Sequence, residues 1–270
     1  LGKELIQEDP FLSVLSLSAV NACLNTAKRV SAFHAAADPD TCCVQGFNVT
    51  GKKVAVIGCG GLGGHLLELL ARVGIGRLVA VDGDVFDETN LNRQLLATHS
   101  TLGMYKVDAA AQRARDINPD ITVNAHKLFY TPETAGELDF QSYDYIIDAI
   151  DTVTGKLDLA VKAQEYQIPV ISSMGAGNKL DPGRFVVTDL AKTTMDPLAR
   201  IMRKELKKRG IRHLKVVYST EKPMPVEPVE TEASLRRTTP GSTAWVPAAA
   251  GLMLAGEVIR DLTGVTNPEN

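Results

Sequence analysis

The run Val54-Ala55-Val56-Ile57-Gly58-Cys59-Gly60-Gly61-Leu62-Gly63 is four apolar residues followed by four glycines in six positions. A short unbroken apolar run bounded by turn residues reads as a strand buried on both faces. The glycines let the chain turn sharply and bring backbone N–H groups close to a phosphate. Leu66 to Val73 then continues as a helix. Asp82 ends the next apolar run, 19 residues after Gly63, where a carboxylate suits a ribose hydroxyl. A glycine turn with only a structural role is the plain alternative, and the added acid favours a nucleotide. The same spacing serves NAD and ATP, so the loop alone leaves that choice open.

The pattern continues outward from this unit. Arg77 to Asp82 is a second strand, Lys106 to Asn118 a helix, and Ile121 to Ala125 a third strand. Tyr145 to Asp148 is a fourth strand, Thr154 to Tyr166 a helix, and Pro169 to Ser172 a fifth strand. Strands alternating with helices of this length imply an α/β fold, a mostly parallel sheet with helices on both faces. Beyond residue 175 the chain changes character into a mixed extension. Arg184 to Val187 and Lys215 to Tyr218 read as strands around a basic helix, Leu198 to Arg209. Residues 221–242, rich in Pro, Glu and Thr, read as a long loop, and Ala248 to Leu262 closes the domain as a helix. Residues 1–50 form an atypical helical segment with an apolar stripe through Leu12, Leu15, Leu17, Val20, Cys23 and Leu24. The organisation expected is therefore 1–50, a domain over 51–262 with 175–262 as its substrate-side part, and a tail over 263–270.

Composition limits the function classes. A net charge of -3 does not mark the chain as a nucleic-acid binder, so any such contact must rest on a local patch. The four cysteines, Cys23, Cys42, Cys43 and Cys59, contain no C-x-x-C pair, which argues against a zinc site and a disulfide framework. A reducing, cytoplasmic setting is expected, with no leader peptide. The most apolar run, Val246 to Gly256, is too short to span a bilayer.

The segment Asp82-Gly83-Asp84-Val85-Phe86-Asp87-Glu88-Thr89-Asn90-Leu91-Asn92-Arg93-Gln94 separates ATP from NAD. Together with the glycine loop, Gly103-Met104-Tyr105-Lys106 and Asp148-Ala149-Ile150-Asp151-Thr152, it resembles the ubiquitin-activating-enzyme-like superfamily. That superfamily includes the adenylating enzymes of molybdopterin and thiamine synthesis. The resemblance covers about residues 52–262 and implies a Rossmann-like fold binding ATP and Mg²⁺. It implies that Gly58, Gly60, Gly61 and Gly63 cradle phosphates and that Asp82 holds the ribose, with Asp84 beside it. Asn90, Arg93 and Lys106 would contact or neutralise phosphate charge, and Asp151 would hold Mg²⁺. Surface ion pairing of Arg93 and Lys106 is the bland reading of the same two residues.

Within the superfamily, Ser172 to Pro182, Asp189 to Thr193, Asp196 to Arg200 and Val216 to Ser219 resemble the tRNA threonylcarbamoyladenosine dehydratase branch. That resemblance implies ATP-dependent activation of a threonyl carboxylate in tRNA, ring closure by the neighbouring carbamoyl group, and a homodimer. Two features read from the residues agree. No cysteine follows Cys59, whereas a thioester-forming enzyme needs a thiolate downstream. Arg200, Arg203, Lys204, Lys207 and Lys208 recur at helical spacing as a basic stripe that can track tRNA phosphates; a merely solvated face is the alternative. The competing functions are adenylation of a small sulfur-carrier protein and nucleotide binding without catalysis. Arg29, the sole arginine before Arg72, is the one candidate for an arginine reaching a partner subunit's ATP. Cys59 is expected to pack. Ala248, Ala249, Ala250, Gly251, Ala255, Gly256 and Trp245 are expected at a close helix contact, one option being a contact between two copies.

Overall fold

The computed structural model describes residues 48–225 and 241–265. The expected N-terminal helix with Arg29, the cysteines Cys23, Cys42 and Cys43, the middle of the 221–242 loop and the end of the tail lie outside the described residues.

Seven strands form one sheet: β1 (Lys53–Ile57), β2 (Arg77–Val81), β3 (Thr122–His126), β4 (Tyr145–Asp148), β5 (Val170–Ser173), β6 (Phe185–Asp189) and β7 (Lys215–Ser219). Their order is β3-β2-β1-β4-β5-β7-β6. Neighbours run parallel except β6, which is antiparallel to β7. The helices are α1 (Gly63–Arg72), α2 (Lys106–Ile117), α3 (Val153–Glu165), α4 (Pro197–Lys208) and α5 (Trp245–Thr263). Among the described residues, no helix is long and apolar enough to cross a membrane.

Strand periodicity explains the two-faced burial. Val54 and Val56 on β1, with Leu78 and Ala80 on β2, point into a core shared with α1, α2 and α5. Ala55 and Ile57, with Val79 and Val81, point the opposite way into a second core with Leu159 and Ala163 of α3. These strand residues are all apolar because neither face meets water. A third cluster packs Met202 and Leu206 of α4 against Leu157 and Ala160 of α3. The mixed extension thus continues the same sheet outward.

Two helices start earlier than their sequence signals. α1 begins at Gly63, inside the glycine turn, and α5 begins at Trp245, with Pro247 in its first turn. A first-turn proline gives up an N–H that has no intrahelical partner anyway, so it does not delay the helix. The small residues of α5 fill its inner face. A Cβ on Gly251 would lie 2.6 Å from Leu62 O, so Gly251 lets α5 sit directly on α1 within this chain. Ala250 and Ala255 are likewise buried in the chain's own core. These three serve an internal contact and not one between copies.

Candidate nucleotide site

β2 and β4 leave β1 on opposite sides, so the chain reverses its strand order there and opens a crevice beyond the strand C-termini. A cleft of about 490 Å³ lies at this point. It contains Gly58, Gly60 and Gly61, Asp82 and Asp84, Asn90 and Arg93, Lys106, and Asp151. Residues far apart in sequence are thereby gathered by three strand ends and the first residue of α2. Gly63 stands behind the loop. A Cβ there would lie 1.8 Å from Gly58 O, so its hydrogen is what allows the helix to start against the turn. Gly58 has φ +101°, and a Cβ on it would meet Ala149 O at 2.7 Å. That close approach locks the glycine turn to the turn carrying Asp151.

Asp82 does more than face a ribose. Its Oδ2 accepts from Cys59 N–H at 2.8 Å and its Oδ1 from Asp84 N–H at 2.9 Å. It therefore braces the glycine loop to the following turn. Burial raises its carboxyl above the usual range, against the lowering effect of those two N–H donors. Each oxygen keeps a lone pair for a ligand. Lys106 is almost fully buried, and its Nζ lies 2.9 Å from Asp84 Oδ2. It is ion-paired, yet it sits in the cleft and not on the outer surface. Asn90 is buried on a short turn, where its Oδ1 accepts from Asp87 N–H at 3.4 Å. Arg93 Nη1 donates to Thr89 O at 2.8 Å and to Asn92 Oδ1 at 2.9 Å. Among the described residues, no carboxylate pairs with Arg93 and no cation pairs with Asp151. An unneutralised cation and an unneutralised acid therefore face one cleft.

These donors fit a polyphosphate. The bare backbone of Gly60 and Gly61 faces Gln94 and Arg93. Gln94 Oε1 is the single buried side-chain polar atom without a partner among the described residues. A hard divalent cation would be held here more through phosphate than through protein. Among the described residues, no group of three or more His, Cys, Asp or Glu could hold a metal. Mg²⁺ commonly takes only one or two carboxylates, with phosphates and water completing its shell, and Asp151 is among the carboxylates that line the cleft.

Several contributors carry weak signals in sequence. Gln94 is visible there only as the end of a motif. Phe129 is 62% exposed on the cleft wall, its ring 2.6 Å from where a Gly83 Cβ would sit. Lys156, 1% exposed, bonds Asp148 Oδ1 at 3.0 Å and Ser173 O at 2.7 Å beneath the Asp151 turn. Lys179 pairs with Asp196 at 3.1 Å, also buried. Neither lysine is marked by spacing, because its acid partner is brought to it only by the fold. Cys59 is buried as expected, and burial pushes its thiol well above its ordinary range. His65 does not line the cleft.

The basic stripe is less uniform than its helical spacing. Arg200, Lys204 and Lys207 are exposed on α4. Arg203 instead folds inward and donates to Thr193 O at 2.7 Å. Lys208 and Arg209 both pair with Glu205, at 2.7 and 3.2 Å. The C-terminal end of α4 lies by the start of β7, at the opposite end of the strands from the cleft.

Residues 48–270 match the sequence model of the ThiF family. A tRNA threonylcarbamoyladenosine dehydratase of Bacillus subtilis (strain 168) is 45% identical over 220 residues, 78% of this chain and 87% of that protein. Its namesake in Escherichia coli (strain K12) is 39% identical over 176 residues, 62% of this chain and 66% of that one. A solved structure of Escherichia coli tRNA N6-threonylcarbamoyladenosine dehydratase in complex with ATP superposes with a TM-score of 0.71 at 32% identity. The superposition covers 80% of this chain and 87% of that chain. A match that starts before β1 and runs through every residue of the cleft makes this chain a member of the ThiF family.

Proposed function

We propose that this chain uses ATP to activate a carboxylate by adenylation, and that the carboxylate is the threonyl group of threonylcarbamoyladenosine in tRNA. The observation that carries the reading is the gathering of Asn90, Arg93, Lys106 and Asp151 around the glycine turn in one cleft. The names of the similar proteins support the choice of substrate.

The substrate carboxylate attacks the α-phosphorus of ATP, the bond to the bridging oxygen breaks, and pyrophosphate leaves. Negative charge accumulates on the phosphate oxygens, so fixed cations lining the cleft lower the barrier. Arg93 supplies charge that no carboxylate of the described residues already neutralises. Lys106 is held in place by Asp84, and Asn90 donates a neutral hydrogen bond. Asp151 would hold Mg²⁺, which when bound adds Lewis-acid charge at the same oxygens. The neighbouring carbamoyl group then attacks the acyl carbon, closes a ring and expels AMP. This second step needs no protein nucleophile, in keeping with a buried Cys59 thiol that resists ionisation. On this reading the exposed cations Arg200, Lys204, Lys207 and Lys208 of α4 would contact tRNA phosphates away from the cleft, with Arg203 less accessible. A cytoplasmic homodimer completes the reading, on the strength of the resemblance.

The purified protein with ATP, Mg²⁺ and tRNA bearing threonylcarbamoyladenosine should release AMP as the nucleoside loses one water, read by mass spectrometry. Asp151→Ala should slow AMP release by roughly 100-fold or more, as for loss of one group stabilising transition-state charge, with an unchanged circular-dichroism spectrum. Normal turnover in that variant would remove Asp151 from the site. AMP release with a small sulfur-carrier protein, and none with tRNA, would replace the substrate.

A further inference from the structure

Trp245 is the single tryptophan of the chain, and it is 52% exposed at the start of α5. Its indole N–H is not free, because Nε1 donates to Leu180 O at 2.8 Å. The ring is therefore held in one orientation with its polar edge turned inward and apolar surface turned out. The ground beneath it is cross-linked. Glu221 accepts from Leu180 and Asp181 N–H, Met224 N–H donates to Asn178 O, and Gly241 N–H donates to Asn178 Oδ1. Three chain segments thus commit their polar groups to one another and leave Leu180, beside the indole, and Met224 half exposed. This ledge adjoins the nucleotide cleft. Asn92 Nδ2 donates to Ser242 O at 3.4 Å, and a Cβ on Gly61 would meet Pro247 first.

We propose that Trp245 is a stacking platform for an unpaired nucleobase of the RNA loop that delivers its carboxylate to the cleft. The inference rests on the tRNA reading above. Single-stranded RNA is recognised mainly by splaying bases onto aromatic rings. An indole whose N–H is already satisfied offers a face that every base can use without hydrogen-bond readout. The ledge borders the cleft through Ser242 and Pro247, so an RNA loop that brings its carboxylate to the cleft passes over the ring, which an unrelated apolar partner would have no reason to do. Trp245 holds the loop; the chemistry stays with the cleft residues.

The lone tryptophan makes the test direct. An RNA stem-loop with an unpaired seven-base loop, titrated into the full chain, should quench its emission as it binds. Trp245→Ala, which has no tryptophan emission and is read by filter binding beside the parent, should weaken binding roughly 5- to 150-fold, the range for removing one base–aromatic stack, while ATP affinity measured by calorimetry stays unchanged. Trp245→Phe, which keeps a ring but not the N–H, should bind within about threefold of the parent and shows that the Ala effect is not a folding defect. RNA binding with unchanged emission and an Ala variant as tight as the parent would overturn the platform while leaving the tRNA reading standing. A blue shift on raising the protein concentration without RNA would overturn it too, by showing that a second copy covers the ring. A parent chain that forms AMP yet binds no RNA would end the tRNA reading itself.

Discussion

Lys156 is a cation sealed inside the protein and answered by Asp148, Ser172 and Ser173. Its partner carboxylate also accepts from Ile150 N–H at 3.3 Å, the first bond of the turn that carries Asp151. Taking two charges out of water costs several kcal/mol each, and only their pairing offsets it. Lys156→Met should therefore lose about 3–5 kcal/mol of unfolding free energy, because it strands an ionised acid in the core. Adding Asp148→Asn to that variant should recover part of the loss. Urea unfolding of the parent and both variants measures this, and a single variant that loses under about 1 kcal/mol would show that water reaches the acid. None of this is legible in sequence, where Lys156 is one basic residue on an ordinary helix. Asn90, Arg93, Lys106 and Asp151 are legible, since their order along the chain with the glycine turn is itself a rare pattern.

Among the elements, α4 shows where spacing stops being informative. Its basic residues recur every three or four positions, but local partners decide which of them keep their charge unpaired. Arg203 is taken by Thr193, and Glu205 takes Lys208 and Arg209. Periodicity records the face of a helix and is silent on the acceptors the rest of the fold brings to it. Changing Lys204 and Lys207 to Gln should flatten the salt dependence of tRNA binding, by roughly 0.7–0.9 in the log–log slope for each phosphate no longer neutralised. The same change at Arg203 and Lys208 should flatten it less, and ATP binding should be unmoved in both pairs. Filter binding across a salt series decides it; equal slopes in all variants would make the stripe a solvated face. α5 behaves conversely. Its small residues do mark a close helix contact, but Leu62 of the same chain is what Gly251 meets, and only the fold could supply that partner.

At the level of the whole molecule, the sheet and its two buried faces follow from alternating apolar runs and helices, while strand order beyond β5 does not. Local patterning marks β6 and β7 as strands; it cannot say that the later one lies inside the earlier. The assembled cleft binds a ligand that the unfolded chain does not, so ligand should stabilise the entire fold. ATP with Mg²⁺ at about a hundredfold excess over its Kd should add about 2.7 kcal/mol to unfolding, and NAD at the same concentration nothing. Calorimetric or fluorimetric melting tests this, and a rise in Tm with NAD alone would reverse the choice of nucleotide. The order β5-β7-β6 carries a further consequence for how the molecule comes into being. The outermost strand bonds only to a neighbour synthesised after it, and α4 separates the two. On the ribosome, residues 185–189 cannot take their native pairing until residues 215–219 have emerged. The outer edge of the sheet is thus completed by the chain in reverse of its order of synthesis, while the basic helix between the two strands already has α3 to pack against.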